Sequence, residues 1–455
     1  MKTNKVSRKI LKNLLCGASL LALATAAHAQ TATQTGTLGQ KLYDDGVSIS
    51  LNYTGEAAGN PYGGIRQGSQ YAGQLYLGGD FDMGKIAGLD GMTIHIAVTQ
   101  RHGRNLEEDD IGNNTSVQEI WGTQNLHLAN FSIEQKLFGG RLDVNFGRVA
   151  SNISFFTSPL YCQFQSNSAC GNPTFIFKDA NFTYFPASAW GGDAKFLFTP
   201  NTYVHGGVYE VSPIDKTFVD HGFNFGGKGD TGVVMPVEFG YTPAGGLYAI
   251  GAWYDTGAYS DPLNDATGQP ALPANQPYAQ HHDRSGFFLR FNQQVTPQGL
   301  SVFGVFMTKI TGAVAEDRYY ELGAVQQGIP WGRPRDTLGF VVNDQEFSRA
   351  FIQNIADARE SVGGTGWGIP HREIMMELNY DARIGKAFTI TPNLQYILNP
   401  DQSAEPFRKT NIPDAFVLGV KFTVDLAELG GALRHLNNRN TGAGYSGYKP
   451  PPSFD

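Results

Sequence analysis

The chain is poor in cysteine, has no long hydrophobic run and carries no excess of positive charge. Only three of its 455 residues are Cys, and 34 Lys and Arg stand against 41 Asp and Glu. Its longest apolar stretch, residues 14–27, is shorter than the roughly 20 residues a helix needs to cross a bilayer, so no transmembrane helix is expected. The acidic balance argues against nucleic acid and anionic lipid surfaces as partners. It suits a solvated surface, or a water-filled lumen that mildly favours cations or neutral solutes.

Lys2, Lys5, Arg8, Lys9 and Lys12 precede the apolar stretch, which ends in the small-x-small pattern Ala27, His28, Ala29 before Gln30. This predicts a secretory signal peptide over 1–29, cut between Ala29 and Gln30. Its removal takes away five basic and no acidic residues, leaving 29 against 41 and a net charge near −12. Cys16 lies inside the apolar run behind Leu14 and Leu15, where a lipoprotein site wants a small residue, so it belongs to the leader. Cys162 and Cys170 remain in an exported chain, which predicts a disulfide closing a short loop, worth about 2 to 3 kcal/mol. Two thiolates with no nearby His make metal binding the weaker reading, and no cofactor is expected.

What the chain does have is glycine, aromatics and alternation. Its 56 Gly exceed the usual share of about 7 per cent, and 12% of its residues are aromatic. Ile374, Met376, Leu378 and Tyr380 fall on one face of an extended segment, with Glu373, Glu377, Asn379 and Asp381 on the other. The pattern recurs where Phe416, Leu418, Val420, Phe422 and Val424 alternate with Gly419, Lys421, Thr423 and Asp425. It recurs again where Phe388, Ile390, Leu394 and Tyr396 alternate with Thr389, Thr391, Asn393 and Gln395. Period-2 patterning is the mark of a half-buried strand. Many such strands behind an export signal point to an outer-membrane barrel, apolar outside and polar within.

Strands pair across short turns, 126–137 with 141–148, 193–198 with 203–211, 233–241 with 247–254, and 287–295 with 300–307. Between the pairs run longer polar connections at 101–125, 149–180, 212–230, 257–284, 309–370 and 398–413. Short turns at the periplasmic end and long loops outside are the rhythm of outer-membrane barrels. From 47–53 to 416–425 there are 14 clear strands, with 178–185 and 337–343 as further candidates for 16. Residues 344–360 carry Phe347, Phe351 and Ile355 at helical spacing, which predicts a short helix packed within the longest loop. The expected organisation is a leader at 1–29, a short periplasmic segment at 30–46, one barrel at 47–425 and a tail at 426–455.

Barrel patterning sets the candidate lumen residues. Leu75, Leu77 and Phe81 face out where Gln74, Asp80 and Asp82 face in; Met92, Ile94, Ile96 and Val98 oppose Thr93, His95 and Thr99; Val233, Met235, Val237 and Phe239 oppose Glu238. A Lys or Arg turned to lipid at mid-membrane costs about 2 to 4 kcal/mol, so Lys195 and Arg290 are expected inside. The connection through 151–179 is the candidate constriction, with Phe155, Phe156, Tyr161, Phe164, Phe175 and Phe177 as ring faces for sugars and Arg148, Lys178 and Asp179 as hydrogen-bonding groups. The same aromatics equally suit packing of the loop on the wall. Other motifs lack their chemistry. Gly222 to Gly229 resembles a phosphate loop but has Gly229 where Ser or Thr is needed. His281, His282 and Asp283 lack a spaced third ligand, and the acidic run from Glu107 to Asp110 lacks calcium-ligand alternation.

Three stretches together resemble the OprB-type carbohydrate-selective porins of Gram-negative outer membranes. They are Tyr71-Ala72-Gly73-Gln74-Leu75-Tyr76-Leu77, Cys170-Gly171-Asn172-Pro173, and Glu377-Leu378-Asn379-Tyr380 with Pro392-Asn393-Leu394-Gln395-Tyr396-Ile397-Leu398-Asn399-Pro400. The resemblance implies an all-β transmembrane antiparallel barrel of 16 strands with one loop folded into the lumen, and passive uptake of small neutral sugars such as glucose. It implies contact with outer-membrane lipid and lipopolysaccharide, passage through the barrel assembly machinery, and a monomer or homotrimer. One departure is that the chain runs past Phe422 to Asp455, where such barrels commonly end on an aromatic. The alternatives are a general diffusion porin, an outer-membrane enzyme such as a lipid hydrolase, and a secreted all-β binding protein. No His stands beside a Ser on an outward row, and changing His95, His127 or His205 is expected to leave flux largely intact.

Overall fold

A computed structural model of the chain describes residues 38–432, apart from 123, 171–173, 213, 215–220, 228, 330 and 331. The expected leader and its cut site at Ala29 and Gln30 lie outside the described residues, as does the tail beyond 432. Among the described residues eighteen strands follow in order: β1 (Val47–Tyr62), β2 (Ser69–Asp82), β3 (Met92–Gly103), β4 (Asn125–Leu137), β5 (Leu142–Val149), β6 (Ala189–Thr199), β7 (Thr202–Val211), β8 (Gly232–Tyr241), β9 (Gly246–Asp255), β10 (Tyr259–Asp265), β11 (Tyr278–His281), β12 (Arg284–Gln294), β13 (Leu300–Thr311), β14 (Glu316–Ile329), β15 (Arg333–Phe347), β16 (Arg372–Ile384), β17 (Phe388–Leu398) and β18 (Ala415–Asp425). All but β10 and β11 form one antiparallel barrel, closed where β1 pairs with β18. Closure satisfies every strand's backbone in-plane and leaves no edge, as the hydrocarbon layer requires.

The wall inverts the usual polarity of burial. Leu77, Phe239, Leu322, Leu378 and Leu418 are exposed on its outside, whereas Glu56, His95, Glu238, Glu377 and Lys421 are buried inside. Hairpin turns at one end are short, with Gly245 (φ 66°) and Gly299 (φ 92°) taking the left-handed turn positions that a side chain disfavours. Some wall glycines answer to packing instead. A Cβ on Gly286 would lie 1.9 Å from Trp253 Cζ2, and one on Gly323 would lie 2.1 Å from Phe303 Cζ. Both rings lie flat on a neighbouring strand that has no side chain there.

Three expectations are corrected. The connection expected over 309–370 contains the hairpin of β14 and β15, and only four residues, 312–315, join β13 to β14. The candidate strand at 178–185 is no strand: a short helix (Thr174–Lys178) leads into irregular chain held by side-chain bonds, such as Asn181 Nδ2 to Asp255 Oδ1 at 3.3 Å. The helix expected at 344–360 covers Arg349–Ser361, capped by Ser348 Oγ accepting from Phe351 N, because 344–347 complete β15. Its apolar stripe packs within the loop, with Phe351, Ile352, Ile355 and Ile369 in one cluster.

Candidate functional site

Two long connections turn inward and narrow the lumen. We call residues 104–124 the second loop and 150–188 the third loop, counting from the long-loop end. The third loop is tied across the barrel by backbone and amide contacts. Gln165 N donates to both Glu377 oxygens at 2.9 and 3.0 Å, and Ser166 N donates to Glu377 Oε2 at 2.7 Å. Gln163 Nε2 donates to Asn379 Oδ1 at 2.8 Å, and Asn393 Nδ2 to Gln165 Oε1 at 2.7 Å. Lys421 Nζ donates to Phe164 O at 3.1 Å. The second loop locks onto the third, Glu119 N to Gln165 O at 2.9 Å and Asn167 N to Ser116 O at 2.9 Å, and onto the wall through Gln395 Nε2 to Val117 O at 3.1 Å.

Several charges on the lumen face stand in ion pairs. Arg290 grips Glu238 through Nε and Nη2 at 2.6 and 2.8 Å, and its Nη1 reaches Thr157 O of the third loop at 2.9 Å. Lys421 lies 3.7 Å from Glu56 and 3.6 Å from Glu119. At the loop's outer end Lys178 pairs with Glu316 at 3.0 Å. Burial alone would pull that ammonium down, but Glu316, Asp401 and Glu373 hold its pKa above the ordinary value. Burial and the neighbouring Glu316 push the Asp179 carboxyl up to about 8.

The expected site residues separate into three groups. Glu377, Asn379, Gln395, Glu238 and Arg290 meet the third or second loop as described, while Lys178 and Asp179 lie at the end of the third loop, Lys178 Nζ donating to Thr115 Oγ1 of the second loop at 3.2 Å and Asp179 Oδ1 accepting from Ala315 N at 2.9 Å. Glu373 joins the second loop to a later one, accepting from Asn113 Nδ2 at 3.2 Å and Asp401 N at 2.6 Å. Lys195 faces the lumen with its ammonium 3.9 Å from the centre of the Tyr203 ring. His95 is wholly buried in the wall, with ring nitrogens 2.7 Å from Asp80 Oδ1 and 3.2 Å from Glu134 Oε2.

Other residues stand elsewhere than expected. Asp82 caps a turn helix (Met83–Ala87), accepting from Gly84 N and Lys85 N, and does not line the lumen. Arg148 is buried beside β6, donating to Asn224 O at 2.6 Å. Phe155, Phe156, Tyr161, Phe164 and Phe175 are all buried, so they pack the loop on the wall and offer no open face to a solute. Phe155 stacks on His205 at 4.1 Å, Phe156 meets Phe288 edge-on at 5.0 Å, and Tyr161 meets Phe303 at 5.3 Å. The side chains of Phe177 and Cys162 lie outside the described residues. Among the described residues no disulfide is found, so the one expected between Cys162 and Cys170 is not seen; Cys170 is buried with Sγ 3.9 Å from Lys421 Nζ. The loop is fastened by its amides on Glu377. Sequence reasoning did not assign Glu56, Glu119 or Gln165 to the site. Lys421 had a signal, being the cation on the inward row of β18.

The family model described as carbohydrate-selective porin, OprB family, matches residues 66–426. The chain belongs to the OprB family of carbohydrate-selective porins. Among relatives of this OprB-family porin, Porin B of Pseudomonas aeruginosa is 31% identical over 458 residues, covering 92% of this chain and 99% of that one. A putative porin of Acinetobacter baylyi, QuiX, is 27% identical and covers 85% of this chain and 90% of its own length. The high-pH structure of Pseudomonas putida OprB superposes with a TM-score of 0.77 at 30% identity, over 85% of this chain and 95% of that one. Salmonella typhi OmpF shares the fold alone, with a TM-score of 0.52 at 10% identity. Family and barrel together place this porin in the Gram-negative outer membrane, and its homologues are transporters rather than enzymes.

Proposed function

We propose that the barrel passes glucose-type monosaccharides by passive diffusion, with selection at the ring formed by the second and third loops against the wall. The observation that carries this reading is the pairing of lumen charges. Arg290 with Glu238, Lys421 with Glu56 and Glu119, and Lys178 with Glu316 are each in ion-pair reach. A paired wall presents dipoles and hydrogen-bonding groups to a passing solute while its charges largely cancel at a distance. Neutral polyhydroxylated solutes gain from such a surface, and anions gain least. The solutes are its transient partners; lipid and lipopolysaccharide cover the apolar outside, the assembly machinery inserts the barrel, and the unit is a monomer or homotrimer. The catalytic alternative has no support in the comparisons.

Reconstitution into liposomes tests the proposal. Swelling with glucose is expected to exceed that with gluconate and with amino acids of similar size, and to fall for longer glucose oligomers. Equal rates for glucose and the amino acids would leave a general diffusion pore.

A further inference from the structure

Four parts of the chain converge on the ammonium of Lys178, which ends the short helix Thr174–Lys178 of the third loop. Its Nζ stands 3.0 Å from Glu316 Oε1 at the start of β14, and donates at 3.2 Å both to Thr115 Oγ1 of the second loop and to Gln345 Oε1 of β15. Asp401 Oδ2, in the connection between β17 and β18, lies 4.0 Å away. Lys178 keeps little exposure, and Glu316 and Gln345 keep none. The next residue, Asp179, fastens the same spot through its backbone contacts, its Oδ1 accepting from Ala315 N at 2.9 Å and Glu316 N at 3.2 Å.

The carboxylates around this ammonium differ in what else holds them. Asp401 accepts from Asn114 N at 3.0 Å and Ser403 N at 2.8 Å. Glu373 accepts from Asn113 Nδ2 at 3.2 Å, Asp401 N at 2.6 Å and Gln345 Nε2 at 3.2 Å. Both oxygens of Glu316 are buried and have no amide or hydroxyl donor, so among the described residues its charge is answered by Lys178 alone. A buried carboxylate that loses its one cation is strongly destabilised. The third loop is therefore held in two chemically different ways, by neutral amides on Glu377 and by an ion pair where it meets the second loop.

We propose that Lys178 is a positioning residue for passage through the barrel: by neutralising Glu316 while bonding Thr115, it fixes the second loop, the third loop and the wall at one spacing and sets the aperture they leave. The inference rests on the reading of these loops as the selective ring, and it assigns the Lys178 ammonium to the loops and not to the passing sugar. Without the ammonium, Glu316 changes from an anchor into a charge that repels Asp401 and Glu373, and the loops part where they meet.

Single-channel conductance in KCl and hydrogen exchange of residues 104–122 and 174–188 read the aperture and the loops with no sugar present. Lys178→Met is expected to raise the conductance and to speed exchange in both segments about tenfold or more. Adding Glu316→Gln to Lys178→Met should restore most of both, because the carboxylate with no other donor is then neutral. Adding Asp401→Asn instead should not, since Asp401 already accepts from two amides. A side chain that only filled space would give no such distinction. Heat-modifiable gel migration verifies folding, and a single variant that fails this check while the Glu316→Gln double variant passes counts as rescue. Parental conductance and exchange in Lys178→Met, or a Glu316→Gln double variant no better than the single one in fold or in current, overturns the assignment. Liposome swelling of the parent is read separately: equal rates for glucose and amino acids remove the sugar reading and leave the currents of Lys178→Met untouched.

Discussion

Glu377 holds the third loop by accepting from consecutive amides, the arrangement of a backbone nest. Replacing it with Ala leaves Gln165 N and Ser166 N without their acceptor, a loss of about 2 to 4 kcal/mol in loop anchoring. The expected result in planar bilayers is a higher and noisier single-channel conductance with weaker discrimination between glucose and larger sugars; Glu377→Gln, which keeps one acceptor, should lie between. Unchanged conductance in the Ala variant would mean that the loop is held elsewhere. Arg290 makes the opposite test. Arg290→Gln leaves Glu238 facing the lumen without its bidentate partner, a break that typically costs about 3 to 5 kcal/mol. Zero-current potentials in a KCl gradient should move toward cation selectivity. Both residues were legible as inward-facing from alternation alone. Their partners were not, because Gln165 and Thr157 lie in a loop whose path no local pattern encodes.

At the scale of elements, the strands announced themselves where one face is apolar throughout. β14 did not: Arg318, Tyr320 and Leu322 run down its outer row while Tyr319, Glu321 and Val325 run down the inner one. Aromatics on both rows and a charge on each blur the period, so the strand passed for loop until pairing with β13 and β15 revealed it. The second loop was read as a plain outer connection, yet it folds in. Glu107 lies at its buried start, and burial pushes its carboxyl from an ordinary 4.5 up to about 8. The folded loop therefore keeps this proton where the unfolded loop has lost it. Stabilisation is complete below the ordinary value and is lost as pH climbs through about 8. Hydrogen exchange of residues 104–122, corrected for intrinsic rates, should show protection falling between about pH 4.5 and 8 and levelling above that, and Glu107→Gln should flatten that fall. A fall of equal size in the Gln variant would assign it to another group.

For the whole molecule, the decisive quantity is which face of the closed sheet meets lipid. Leu418 is exposed near the middle of β18, while its neighbour Lys421 is buried on the opposite face. Leu418→Arg is expected to cost about 2 to 4 kcal/mol, seen as a lower midpoint in urea unfolding from lipid vesicles. A midpoint equal to that of the parent would contradict the assigned outside. The sequence by itself determined the wall: alternation, hairpin turns and the inward or outward sense of the strands with one apolar row, because period-2 patterning is a local property of extended chain in a two-solvent setting. Only the tertiary structure decided the interior. Whether the loop aromatics face sugars or the wall, whether Cys170 is bridged, and which carboxylate holds the third loop depend on contacts such as Gln165 with Glu377, 212 residues apart. Such contacts arise only after the barrel has closed and given the loops a polar surface on which to fold.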